Sequence, residues 1–226
     1  MPFQDLPDRL ATIHGLIEQA RQRGGHGQAV QIVAVTKTHG PDAPLAAWEA
    51  GVRDVGENRI QEAVGKMEVV SVPLRWHLIG HLQRNKVRQV DAFHLVHSMD
   101  SGRLADALDA HGTSRGRPVD VLFQVNVSGE GTKGGYQPGD VAGEAERLLS
   151  KRGLNVRGVM TMAPFDAPEA VLREVFAGAR ESAAVLRAAG HPASELSMGM
   201  SGDYEIAVEE GATLVRLGTV LFGTRA

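Results

Sequence analysis

Two cationic side chains stand in stretches that would otherwise be buried strands. Lys37 ends the run Gln31-Ile-Val-Ala-Val-Thr-Lys37, and Arg216 lies within Thr213-Leu-Val-Arg-Leu-Gly218. A run rich in β-branched residues reads as a strand covered on both faces, as in a parallel sheet. Strand alternation puts Lys37 on the face of Val33 and Val35, and Arg216 on the face of Leu214 and Gly218. The carboxyl end of a strand is where α/β folds place their ligands. An amine with a reference pKa near 10.4 is protonated at neutral pH. A partly apolar pocket disfavours the ammonium and frees its lone pair to attack a carbonyl. The plainer reading of Lys37 is a strand-end lysine that snorkels to solvent. A guanidinium on an inward face needs an acceptor, either a carboxylate such as Glu57 or a ring nitrogen of a bound ligand.

Two further stretches suit an anion. Met198-Gly-Met-Ser-Gly-Asp203 runs into a helix, so its N–H groups and the Ser201 hydroxyl could meet a phosphate. Gly218-Thr219 follows the last strand and offers unobstructed N–H groups and a second hydroxyl. Barrel enzymes often hold phosphate between their seventh and eighth βα loops. Taken alone, Ser201 or Asp203 reads as a helix N-cap. Metal binding has little support: the strand reading separates His77 from His81, and His94 and His97 read as strand or edge residues. The loop Gly129–Gly135 lacks the Walker A order, and Lys133 within it reads either as a solvated side chain or as a second amine reaching over the rim.

The elements that must position these groups alternate along the chain. After an amphipathic helix from Leu6 to Gln22, eight strand-like runs are each separated by a helix or a helix-length crossover. They are Gln31–Lys37, Val52–Val55, Leu74–Ile79, Ala92–Ser98, Val119–Val127, Asn155–Met162, Glu195–Met198 and Ala212–Leu217. This order in 226 residues predicts a single (β/α)8 barrel of the TIM type. The extra N-terminal helix (residues 1–25) would cover the place where the last βα unit is cut short, and the barrel would span 31–223. No linker divides the chain, so one domain over 1–226 is expected. Lys37, Asn58, Ser201, Gly218 and Thr219 then share one rim.

The net charge of −3 gives no footprint for nucleic acid. The absence of cysteine excludes disulfides, thiol catalysis and thiolate metal sites. No run reaches the roughly 20 apolar residues of a membrane span, and the N-terminus lacks signal-peptide character. A cytoplasmic protein with no membrane contact is expected.

A rim amine, an anion site between the last two βα loops and an inward arginine together fit pyridoxal 5′-phosphate (PLP). The blocks Val33-Ala-Val-Thr-Lys37, Gly56-Glu-Asn58, Trp76-His-Leu-Ile-Gly80 with Leu82-Gln-Arg-Asn-Lys86, Gly158-Val-Met-Thr-Met162, Ser197-Met-Gly-Met-Ser201 and Val215-Arg-Leu-Gly-Thr219 resemble the pyridoxal-phosphate homeostasis protein family. That family is similar to the barrel domain of alanine racemase. The resemblance implies a Schiff base on Lys37, Arg216 facing the pyridine nitrogen, and Ser201, Gly218 and Thr219 around the phosphate, with Asn58 beside the cofactor. His81 stands where many relatives have proline, and Gly134 where they have serine. A cationic partner for the ring nitrogen makes a poor electron sink. Racemisation needs a second acid/base, which alanine racemase takes from a tyrosine outside its barrel. The expectation is a monomeric PLP-binding protein of vitamin B6 homeostasis that makes transient contact with PLP-dependent apoenzymes and has no catalytic residues of its own. The alternatives are a slow amino-acid racemase working with Lys37 and water or His81, and a barrel that binds another phosphorylated metabolite.

Overall fold

Eight parallel strands close into a barrel in chain order, the last pairing with the first. The computed structural model describes residues 3–131 and 134–223, so Lys133 lies outside the described residues. The strands are β1 (Gln31–Val35), β2 (Asp54–Glu57), β3 (Arg75–Leu78), β4 (Leu95–Met99), β5 (Val119–Gln124), β6 (Leu154–Met160), β7 (Glu195–Ser197) and β8 (Leu214–Leu217). The helices are α1 (Leu6–Gly24), α2 (Asp42–Glu49), α3 (Ile60–Met67), α4 (Gly102–Ser114), α5 (Val141–Leu148), α6 (Glu169–Ala189), α7 (Tyr204–Glu209) and α8 (Thr219–Phe222). A 3-10 segment over Arg84–Ala92 replaces a helix between β3 and β4.

Alternation sorts the side chains into two cores. Val33, Leu95, Leu122, Met160 and Leu214 meet inside the barrel, with Met162 packed against them. Ile32, Ala34, Val55, Leu78, Val96, Val121 and Val215 face outward and meet the helices. Val33 is in register with Asp54 on one side and Arg216 on the other. Both polar residues therefore point inward, as the alternation in the sequence predicts for Arg216.

The expected (β/α)8 architecture is present, with three differences near the site. β1 ends at Val35, and Lys37 sits in the turn that follows. The turn forms because Thr36 already donates its N–H to Gly56, and His39 then closes back onto Thr36. β2 begins at Asp54 rather than Val52, so Glu57 belongs to the strand and not to the loop. Gly218-Thr219 is not simply a loop, because Gly218 caps the four-residue helix α8.

Helix α1 packs on α7 and α8, where the eighth βα unit is shortest. It buries Leu6, Leu10, Ile13, Ile17 and Ala20 along one stripe and stops at Gly25, in the left-handed region with φ 70°. Arg23 donates to Glu209 at 2.6 Å and Gln28 to the Val208 carbonyl at 2.8 Å. A Cβ at Gly24 would collide with the Glu209 backbone. Gly24→Ala is therefore expected to cost about 1–3 kcal/mol, read as a thermal midpoint lowered by roughly 2–4 °C per kcal/mol. An unchanged midpoint would mean that α1 tilts away at no cost.

Candidate functional site

Lys37 is half-buried at the barrel mouth, and its amine has no protein partner among the described residues. The turn that carries it is held from behind. Glu57 points outward from β2 toward α3 and is fully buried. The Thr36 hydroxyl donates to Glu57 at 2.5 Å, and Lys66 of α3 donates to Glu57 at 2.6 Å, to Glu62 at 2.9 Å and to the Thr36 carbonyl at 2.7 Å. Glu62 also accepts the N–H of Thr38. Both backbone neighbours of Lys37 are thus pinned to one ion cluster. Thr38 adopts φ 66°, a costly conformation for a β-branched residue. Burial pushes the Glu57 carboxyl up, even with Lys66 and Thr36 bound to it.

Glu57 is therefore not the acceptor for Arg216. Arg216 is 4% exposed and donates from Nη1 to the Ser197 carbonyl (2.7 Å) and hydroxyl (2.6 Å), and from Nη2 to the Thr161 carbonyl (2.9 Å). It meets no carboxylate among the described residues, and burial brings its pKa down to about 10, opposed only by the charge of Asp203. A guanidinium carries five N–H donors. Its Nε–H and second Nη2–H have no acceptor among the described residues. Leaving a charged donor unsatisfied in the interior is costly, so this arrangement suits an acceptor brought by a ligand.

The candidate anion-binding groups lie together at the barrel mouth. The Ser201 hydroxyl accepts the N–H groups of Gly218 at 3.3 Å and Val220 at 3.4 Å. Both bonds are long, and one hydroxyl oxygen occupies the point at which two backbone N–H groups aim. A phosphate oxygen at that point would meet the same donors together with the hydroxyl. Thr219, exposed as the first residue of α8, adds a second hydroxyl on the same rim. Asn58 lies half-buried at the end of β2, its backbone against Gly80 at the end of β3. His81 is exposed and pairs with Asp100 at 3.0 Å on the rim.

His97 belongs to β4, as the strand reading has it, and in a closed barrel it lies at no edge. It is fully buried inside the barrel, with Nδ1 2.8 Å from the Ser197 hydroxyl and Nε2 2.9 Å from Nδ1 of His77. His77 in turn reaches Asp54 at 2.9 Å. Burial holds the His97 pKa well below its ordinary value, so the ring is neutral. Among the described residues no cluster of three or more His, Cys, Asp or Glu could hold a metal.

Burial alone would raise the Asp54 carboxyl. Hydrogen bonds from His77 and from Arg75 (two at 2.7 Å) outweigh it and bring it from 3.8 to about 2. A depressed carboxylate contributes stability that is present above its unfolded pKa and lost as pH falls through its folded one. Asp54 should thus add about 2 kcal/mol above pH 3.8 that fades as pH approaches about 2. In urea titrations, the gap between wild type and Asp54→Asn should shrink over that window. A gap that stays constant would remove the ion pair from the account.

Residues 10–226 match the family described as alanine racemase, N-terminal domain. The pyridoxal phosphate homeostasis protein of Pseudomonas aeruginosa is 40% identical over 223 residues, covering 97% of this chain and 96% of that one. PipY of Synechococcus elongatus PCC7942, solved with PLP bound, superposes with a TM-score of 0.85 at 37% identity, covering 96% of this chain and all of that one. Alanine racemase of Clostridium difficile 630 shares the fold at 15% identity, with a TM-score of 0.75 over 96% of this chain and 56% of its own. The chain belongs to the alanine racemase N-terminal domain family and, within it, to the pyridoxal phosphate homeostasis proteins.

Proposed function

We propose that this chain binds pyridoxal 5′-phosphate as a Schiff base on Lys37 and serves the homeostasis of that cofactor in the cytoplasm. The observation that carries the reading is the arrangement of three unlike groups at one barrel mouth. They are an amine on a pinned turn, donors converging at Ser201, and a buried arginine, the amine and two of the arginine's N–H groups having no partner among the described residues. The relative solved with PLP bound supports the same ligand. When bound, the cofactor supplies an aldehyde that exchanges between amines.

In this reading Lys37 forms the covalent link. Ser201, Gly218 and Thr219 hold the phosphate, Arg216 donates to the ring nitrogen and Asn58 lines the ring. The positive guanidinium keeps that nitrogen unprotonated and the ring a weak electron sink, which suits storage and release over catalysis. One domain over 1–226, acting as a monomer and meeting PLP-dependent apoenzymes transiently, completes the proposal, with neither nucleic acid nor membrane as a partner. No described helix is long and apolar enough to cross a membrane.

The test is spectroscopic. Protein loaded with PLP should absorb in the visible, and Lys37→Ala should abolish the band. A colourless wild type that still binds phosphate would favour some other phosphorylated ligand. The exposed His81–Asp100 pair favours a slow amino-acid racemase as a second reading, since it offers an acid/base group on the same rim. Deuterium exchange at Cα of alanine, lost in both Lys37→Ala and His81→Ala, would support that reading. No exchange above background is expected.

A further inference from the structure

Barrel interiors are usually filled with branched apolar side chains, yet here a polar chain crosses from the mouth to the floor. Arg216 Nη1 meets the Ser197 hydroxyl at 2.6 Å and that hydroxyl meets His97 at 2.8 Å. His97 meets His77 at 2.9 Å, and His77 meets Asp54 at 2.9 Å. None of the five is more than 4% exposed. Gln31 and Arg75 complete the acceptor capacity of Asp54. A buried polar network is costly unless every member is satisfied, and this one runs from a group that can only donate to one that, ionised, can only accept.

We infer that Ser197, His97, His77 and Asp54 are positioning residues for Arg216, forming a one-way hydrogen-bond relay that orients its guanidinium and backs its charge from the barrel floor. The inference rests on the reading of pyridoxal phosphate at the mouth and goes beyond it, because three of the four residues do not touch Arg216. The direction is set at the Asp54 end, where an ionised carboxylate can only accept. Arg216 donates to the Ser197 hydroxyl, which keeps its own hydrogen for Nδ1 of His97. A neutral His97 carries its one hydrogen on Nε2 and gives it to Nδ1 of His77, which donates from Nε2 to Asp54. Reversal would set a bare imidazole nitrogen against the Asp54 carboxylate. Other charged or titratable groups nearby are Arg75, His94, Asp120, Arg157 and Glu195 toward the floor, and Asp203 beyond Arg216. None of these enters the relay between Arg216 and Asp54.

The consequence reaches the ligand. With the relay intact, the two uncommitted N–H groups of Arg216 hold one aim and the ring nitrogen stays without a proton. With it cut, the guanidinium loosens and the ring nitrogen becomes more basic.

The test loads wild type, Ser197→Ala, Ser197→Thr and His77→Leu with PLP carrying ¹⁵N in the ring, and titrates that nitrogen by NMR. Ser197→Ala and the remote His77→Leu should each raise its proton affinity about tenfold, a shift of about one pKa unit. Ser197→Thr, which keeps the hydroxyl, should match wild type. A shift in Ser197→Ala alone, or in neither variant, would overturn the relay. Borohydride trapping on Lys37 is measured beside it: a wild type that traps nothing refutes the cofactor reading, whereas full trapping with an unmoved titration refutes only the relay. Should a variant not fold, ¹⁵N-histidine spectra of loaded wild type decide the matter. Hydrogens on Nε2 of both His77 and His97 are expected, and a hydrogen on Nδ1 of His97 would overturn the assignment.

Discussion

Replacing Lys66 with methionine is expected to lower the thermal midpoint by roughly 10 °C, from about 3–5 kcal/mol for breaking a buried ion pair at roughly 2–4 °C per kcal/mol. The side chain is nearly covered and satisfies Glu57, Glu62 and the Thr36 carbonyl together. Methionine fills a similar volume and supplies none of those hydrogens. Glu57 would then be a fully buried carboxylate with only the Thr36 hydroxyl, and its second oxygen already lacks a partner. The pH dependence follows from the direction in which Glu57 titrates. Its folded pKa is already above the ordinary 4.5 and rises further without the lysine. A raised carboxyl favours the fold below its unfolded pKa and loses that contribution as pH rises through the folded value. The penalty for Lys66→Met should therefore be larger at alkaline pH than near pH 4.5. Adding Glu57→Gln should recover part of the loss, because the charge goes with its partner. Equal midpoints for wild type and Lys66→Met would show that the cluster does not hold the Lys37 turn.

Arg216→Met should separate stability from ligand retention. The cation is buried and bonded to no carboxylate among the described residues, so removing it relieves a desolvation cost. It also strips donors from the Ser197 and Thr161 carbonyls, at about 1–3 kcal/mol each. These effects oppose each other, and the midpoint of the ligand-free protein should move little. Cofactor retention should not be spared. A hydrogen bond to a charged group contributes about 1.5–3 kcal/mol, or roughly 10–100-fold in affinity. Dialysis of the loaded variant against free amine should release PLP faster by that order. A protein that holds PLP unchanged would leave Arg216 as packing alone.

Much of this arrangement is written in the strand alternation. The inward aim of Arg216 follows from counting by twos along β8, and the meeting of Ser201 with Gly218 follows from the order of the last two βα loops. Lys66 escaped notice for a physical reason. Four residues beyond Glu62 on a helix, it reads as one half of a solvated surface pair. Only the shift of β2, which takes Glu57 out of the loop, buries both. The neighbours of His97 in Leu95-Val-His-Ser-Met argue for a strand covered on both faces, but its partners Ser197 and His77 come from other strands and cannot be read from that run. The helix α8, at four residues, is too short for periodicity to announce.

The central claim is that the Lys37 amine captures the aldehyde of pyridoxal phosphate. Reduction of the loaded protein with borohydride, followed by peptide mapping, tests it most directly. One pyridoxyl group per chain is expected on the peptide containing Lys37, with none recovered from Lys37→Ala. A label spread over surface lysines, or concentrated on another amine while Lys37 stays unmodified, would contradict the account.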